Sequence, residues 1–171
     1  MTNLINQWFP NAAQLWPDFW QASLETLQMT IITGIIAGII GLIIGIFLLI
    51  TGEKGLKPNK FIYIILDKIV DIGRSIPFII LLAVLVPFTR LIVGTSVGTA
   101  AVTVPLVLGT IPFFARQIQN ALLEVDPGVV EAARAMGVGD FGIIYRVYLR
   151  EGLVSIIRSE EHTSELQSLT H

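Results

Sequence analysis

The sequence contains no cysteine, and both of its histidines, His162 and His171, fall within the last ten residues. Disulfides and thiolate metal sites are therefore excluded. Before residue 158 nothing can form a Cys- or His-based nucleophile pair or a His-containing metal cluster, so no metal and no cofactor is expected. Charge is scarce as well, at 14% of residues against about 25% in an ordinary soluble domain. The glycine-rich GxxxxGK[ST] loop that cradles nucleotide phosphates is missing. If this protein depends on ATP, another chain binds it, and the chain is not expected to be an enzyme. No nucleic-acid partner is expected.

Apolar residues make up 53% of the 171 positions, and the mean hydropathy is +0.75. With so few charges and such long uncharged runs, the composition points to lipid as the solvent. The expected fold is an all-α polytopic membrane protein. Residues 1–26 carry Trp8, Phe9, Trp16, Phe19 and Trp20 but no Lys or Arg. Trp16, Phe19 and Trp20 share one face of a short helix, and such aromatics favour the membrane–water interface. Leu27 to Ile50 is 24 residues without charge or proline, long enough to cross the roughly 30 Å hydrocarbon core. Along it Gly34, Gly38, Gly41 and Gly45 form a narrow stripe, a helix-packing surface where another backbone can approach closely.

The first positive charges of the chain are Lys54, Lys57 and Lys60, in the loop 51–60. Short loops rich in Lys or Arg remain in the cytoplasm, which places the N-terminus outside. For 61–93 the spacing predicts one long helix. Its charged first turns (Asp67, Lys68, Asp71, Arg74) would sit at the inner surface, with Asp71 spaced i,i+3 from both Lys68 and Arg74, its second half would cross outward from about residue 67 to 93, and Arg90 would snorkel at the outer interface. Residues 94–99 then form an outer turn. A third span, about 100–115, runs back inward with kinks expected at Pro105 and Pro112.

Residues 116–150 bring Glu124, Asp126, Glu131, Arg134, Asp140, Arg146 and Arg150, and alternation makes them cytoplasmic. Asp126-Pro127 reads as an N-cap followed by proline at the first helical position, and Gly137 as the residue just past the helix end. The helix between them has an apolar side of Val129, Val130, Ala132, Ala133 and Met136, with Glu131 and Arg134 spaced to pair. At about three turns it is marginal alone in water and needs a partner groove.

The segment EAARAMG, Glu131 to Gly137, resembles the EAA loop of ABC importer permeases: EAA, three residues, Gly, nine residues, an aliphatic, one residue, Leu-Pro. Val147 takes the aliphatic place and Leu149 the leucine, while Arg150 stands where proline is usual. GRSIPFIILLAVLVPFTRLIVGTSVG (Gly73–Gly98) and IPFFARQIQNALLEV (Ile111–Val125) precede it in the order found in methionine importer permeases. That resemblance implies five transmembrane helices, of which three are expected here, with 151–157 opening a fourth. It implies a homodimer in the bacterial inner membrane, separate ATPase subunits docked at Glu131, Ala132, Ala133, Met136 and Gly137, a substrate-binding lipoprotein outside, and alternating access driven by ATP. The alternative is a small membrane scaffold whose cytosolic helix binds another partner. Beyond Ile157 the text RSEEHTSELQSLTH turns polar without a turn signal. It can be back-translated into the start of a common sequencing adaptor, so 158–171 is expected to be an artefactual tail. Without its one basic and three acidic residues, the 11 basic and 13 acidic residues of the chain fall to ten of each.

Overall fold

A computed structural model describes residues 12–95 and 97–152, apart from the side chains of 12–15. Trp8 and Phe9, the segment 153–157 and the tail 158–171 lie outside the described residues. The elements are all helical: α1 (Ala12–Thr51), α2 (Lys60–Ser75), α3 (Phe78–Val93), α4 (Thr99–Leu123), α5 (Pro127–Ala135) and α6 (Asp140–Ile143). A π-helical turn, Ile144–Tyr148, continues α6 without a break.

Two helices among the described residues are long and apolar enough to cross a membrane, the Trp16–Thr51 part of α1 and all of α4, and α2 with α3 can supply a third span as a bent pair. Rows of large apolar side chains face outward along α1, among them Ile35, Ile39, Ile43 and Phe47. In water such a surface would aggregate; in hydrocarbon it is the expected exterior. The chain therefore has the fold of an all-helical polytopic membrane protein.

Three elements differ from the sequence reading. The aromatic residues Trp16, Phe19 and Trp20 are on no separate interfacial helix, since they belong to α1 itself, with Trp16 and Phe19 stacked at 5.9 Å. A helix of 40 residues is roughly 60 Å long, about twice the hydrocarbon thickness, so its first turns extend beyond the apolar slab. Residues 61–93 form two helices bent by 107° in place of one continuous span. Pro77 is the cause: it disfavours the helical conformation at the preceding residue, and Ile76 is extended at φ −78°, ψ 121°. The third span continues past residue 115 to Leu123 as one helix with both Pro105 and Pro112 inside it. Hydropathy marks where lipid contact ends, and the helix runs on as an amphipathic rod.

α1 and α4 share the largest interface. Two small cores form at the end of α1 near the lysine loop. Leu48 packs with Val70 of α2 and Ala115 of α4. Its neighbour Leu49 turns to the other side and joins Leu122, Val125, Val130, Ala133, Ile143, Val147 and Tyr148. The lysine loop closes α1 by donating the Lys57 N–H to the Ile50 carbonyl at 3.1 Å and the Asn59 N–H to the Thr51 carbonyl at 3.0 Å. These bonds satisfy carbonyls that a helix end leaves free.

Candidate coupling site

The site begins at the end of α4. Asp126 caps α5, its carboxylate accepting from the Gly128 N–H at 2.7 Å, and Pro127 occupies the first turn, where its missing N–H costs nothing. At the other end Gly137 adopts φ +78°. Its N–H donates to the Arg134 carbonyl at 2.9 Å, and the Val138 N–H donates to the Ala133 carbonyl at 3.1 Å. This pair of bonds is a Schellman closure, which requires a left-handed residue where Gly137 stands.

The apolar side of α5 divides into two faces. Val130 and Ala133 are buried against Leu122, Val125, Ile143, Val147 and Tyr148. Val129, Ala132 and Met136 are exposed, Met136 to 76%. One face therefore fastens α5 to the membrane helices, and the other is left bare. Glu131 is also exposed and lines a cleft of about 410 Å³ with Lys54, Arg134 and Tyr148. The Glu131–Arg134 pair does not form. Arg134 reaches across 78 residues of sequence to the Leu56 carbonyl at 3.5 Å, a long contact that leaves Glu131 turned to the cleft. Burial pushes the Tyr148 phenol up, with the Arg134 charge acting in the opposite sense, so the phenol stays neutral at physiological pH.

Past Gly137 the chain re-enters a helix at Asp140, whose carboxylate meets Lys57 at 3.3 Å. Helical backbone then continues from 140 to 152 through the π turn. Arg150 sits inside that run, and no break occurs where the signature usually has proline. Phe141 and Tyr145, one turn apart, are exposed to 84% and 67%.

The glycine stripe also divides. A methyl group on Gly41 would lie 2.6 Å from the Phe114 Cβ, and one on Gly45 would lie 2.8 Å from the Ala115 carbonyl oxygen. Both positions belong to the α1–α4 crossing. Gly34 and Gly38 have nothing within 4 Å of that position, so this half of the stripe packs on no helix of the described chain.

Sequence reasoning missed Arg116. Its Nη2 donates to Asp67 Oδ1 and to Asp71 Oδ1, both at 2.7 Å, and its Nη1 donates to Gln119 Oε1 at 2.8 Å. Sequence spacing pairs Asp71 only within its own helix, with Lys68 and Arg74, and assigns Asp67 no partner. The Asp71–Arg74 contact does exist, at 4.0 Å, but it is the weaker of the two. No short-range pattern could reveal a partner 49 residues away. The one available signal was that two carboxylates at i and i+4 repel unless a cation lies between them.

A bundle of long apolar helices carrying a capped, half-bare amphipathic helix on a polar loop defines a polytopic membrane protein with an unpartnered helix face. The sequence pattern of binding-protein-dependent transport system inner membrane components matches residues 37–159, and the chain belongs to that family. It is 48% identical over 135 residues to the D-methionine transport system permease protein MetI of Yersinia pestis, covering 79% of this chain and 62% of that protein. It is 46% identical to the protein of the same name from Escherichia coli, with the same coverage. A probable MetI of Vibrio cholerae is 44% identical over 92% of this chain and 68% of its own length. The chain thus spans about two thirds of the relatives it matches. Among solved structures, inward-facing conformations of the MetNI methionine ABC transporter match with a TM-score of 0.79 and 44% identity, over 83% of this chain and 67% of theirs. An amino acid ABC transporter matches at 20% identity with a TM-score of 0.52, a likeness of fold alone.

Proposed function

We propose that this chain forms part of the membrane-spanning subunit of an ATP-driven importer for methionine, a subunit that pairs with a second copy of itself and couples to separate ATPase subunits. The observation that carries the reading is α5: a helix closed at both ends, anchored through Val130 and Ala133, with Val129, Ala132 and Met136 left bare. A short helix marginal on its own gains most from a groove on another protein. Glu131, Ala132, Ala133, Met136 and Gly137 are the docking set, Ala133 by anchoring the helix and Gly137 by ending it. In this reading ATP binding closes the ATPases, α5 moves with them, and the permease pair alternates between inward- and outward-open states. A ligand can drive such a change only by contacts that differ between the states, and the docked helix supplies them. A substrate-binding lipoprotein delivers methionine at the outer face. The N-terminus is outside, 51–60 and 116–150 are inside, and 94–99 is outside. Lipid surrounds the apolar rows of α1, and the open Gly34 and Gly38 remain for helix packing beyond the described chain.

Co-expression with the cognate ATPase subunit, affinity capture and uptake of labelled methionine in proteoliposomes test the reading together. The expected result is a stable complex whose uptake requires ATP. A stable membrane complex that lacks any ATPase would favour a scaffold and overturn the importer reading.

A further inference from the structure

Arg116 stands where three structural features converge on α4. One turn before it, Pro112 fits against Gly73 of α2 so closely that a methyl on Gly73 would lie 2.6 Å from the proline Cγ. Another turn back, Gly109 lies under Leu81 and Phe78 of α3, just past the elbow. After Arg116, Leu122 and Val125 pack into the core that holds α5. On one rod, then, lie the seat of α5, the guanidinium bound to Asp67 and Asp71, and the two glycine contacts that bracket the bend at Pro77.

The ion cluster is built for a fixed geometry. One guanidinium nitrogen serves two carboxylates one turn apart on α2, and another binds Gln119 on its own helix. Arginine's planar fork can hold three acceptors at once, which a lysine ammonium on a flexible stem does with less order. The Arg116 side chain is only 16% exposed and Asp67 24%, so water screens this contact less than a surface pair. Without Arg116 the two carboxylates would repel each other at the same spot.

We propose that Arg116 is a positioning residue for transport: by holding Asp67 and Asp71 it makes the α2–α3 elbow follow α4, and so follow α5. This rests on the importer reading above. The close apolar contacts at Gly73 and Gly109 set how near α2 and α3 lie to α4, and the ion cluster adds a directional polar link between α2 and α4. A shared ion cluster resists sliding, so displacement of α5 is delivered to the elbow.

The test uses the transporter assembled with its ATPase subunits in proteoliposomes, with ATP hydrolysis and methionine uptake measured on the same preparation. Arg116→Gln is expected to keep the ATPase subunits and to hydrolyse ATP within about twofold of the unsubstituted protein, while uptake per ATP falls about tenfold, the size of an ordinary coupling term. Arg116→Lys should fall between. Asp71→Asn, at a half-exposed position, keeps the Asp67 pair and should lower the ratio in the same direction but by less than Arg116→Gln does. Uptake per ATP unchanged in Arg116→Gln, or hydrolysis falling in step with uptake, would overturn the proposal. Should Arg116→Gln fail to assemble, the ratio in Asp71→Asn decides in the same way. If the unsubstituted protein captures no ATPase, the importer reading itself is wrong, an outcome distinct from a working transporter whose ratio ignores Arg116.

Discussion

Gly45 and Ala115 meet so closely that a single added methyl at Gly45 would stand 2.8 Å from the Ala115 carbonyl oxygen. The obstacle is backbone, which cannot rotate away. Gly45→Ala should therefore push α1 off α4 and lower stability by about 1–3 kcal/mol, the usual cost of overpacking. Gly34→Ala, with open space around it, should leave the chain's own stability nearly unchanged. Thermal unfolding in detergent checks the pair, and equal midpoints for the two variants would contradict the crossing.

The turn at Gly137 gives a second expectation. At φ +78° a β-branched side chain is strongly disfavoured, so Gly137→Val should strain the Schellman closure and loosen the end of α5. Glu131→Gln leaves the backbone alone. Both should weaken capture of ATPase subunits and lower uptake while membrane insertion continues, with Gly137→Val the more harmful. Full capture and full uptake in both variants would remove α5 from the docking role.

Ile143 extends the argument to a position that the EAA signature leaves unspecified. It is fully buried in the core that joins α5 to Leu49 and Leu122. Ile143→Ala should leave a cavity and cost about 2–5 kcal/mol. Because that core holds the docking helix in place, recovery of ATPase subunits should fall while α1 and α4 still insert. Differential protease sensitivity of residues 127–148, read by mass spectrometry, is the direct measurement. Unaltered cleavage there would show that α5 is held by something else.

Topology can be mapped with single cysteines, since the chain has no native one. A cysteine replacing Lys57 should react with an impermeant maleimide only after the membrane is opened. One replacing Thr95 should react in intact cells. Labelling of the Lys57 position from outside would invert the proposed orientation.

Much of this protein was already decided by local chemistry. The charge-free run Leu27–Ile50 dictates a membrane helix because every backbone group in lipid must be bonded within its own segment. Asp126-Pro127 and Gly137 dictate where α5 starts and stops, because capping depends on adjacent side chains and on one permissive φ. Pro77 was equally visible, yet the bend it causes was read as a continuous helix. A proline states that the hydrogen-bond ladder is interrupted, and the angle that follows depends on what the two halves pack against. Here Gly73 against Pro112 and Gly109 against Leu81 hold the halves at 107°.

Tertiary structure alone decided which glycines of the stripe are used, which apolar side of α5 is buried, and where the charges of α2 find their partner. Periodicity places residues on a face but carries no information about which neighbour arrives there. Asp67 and Asp71 lie 49 and 45 residues before Arg116, and only the crossing of α2 with α4 brings them within a hydrogen bond of it. The sequence by itself determined that these helices would sit in lipid, since that follows from composition along one segment at a time. How they lock together follows from close contact between segments, which exists only once the chain is folded.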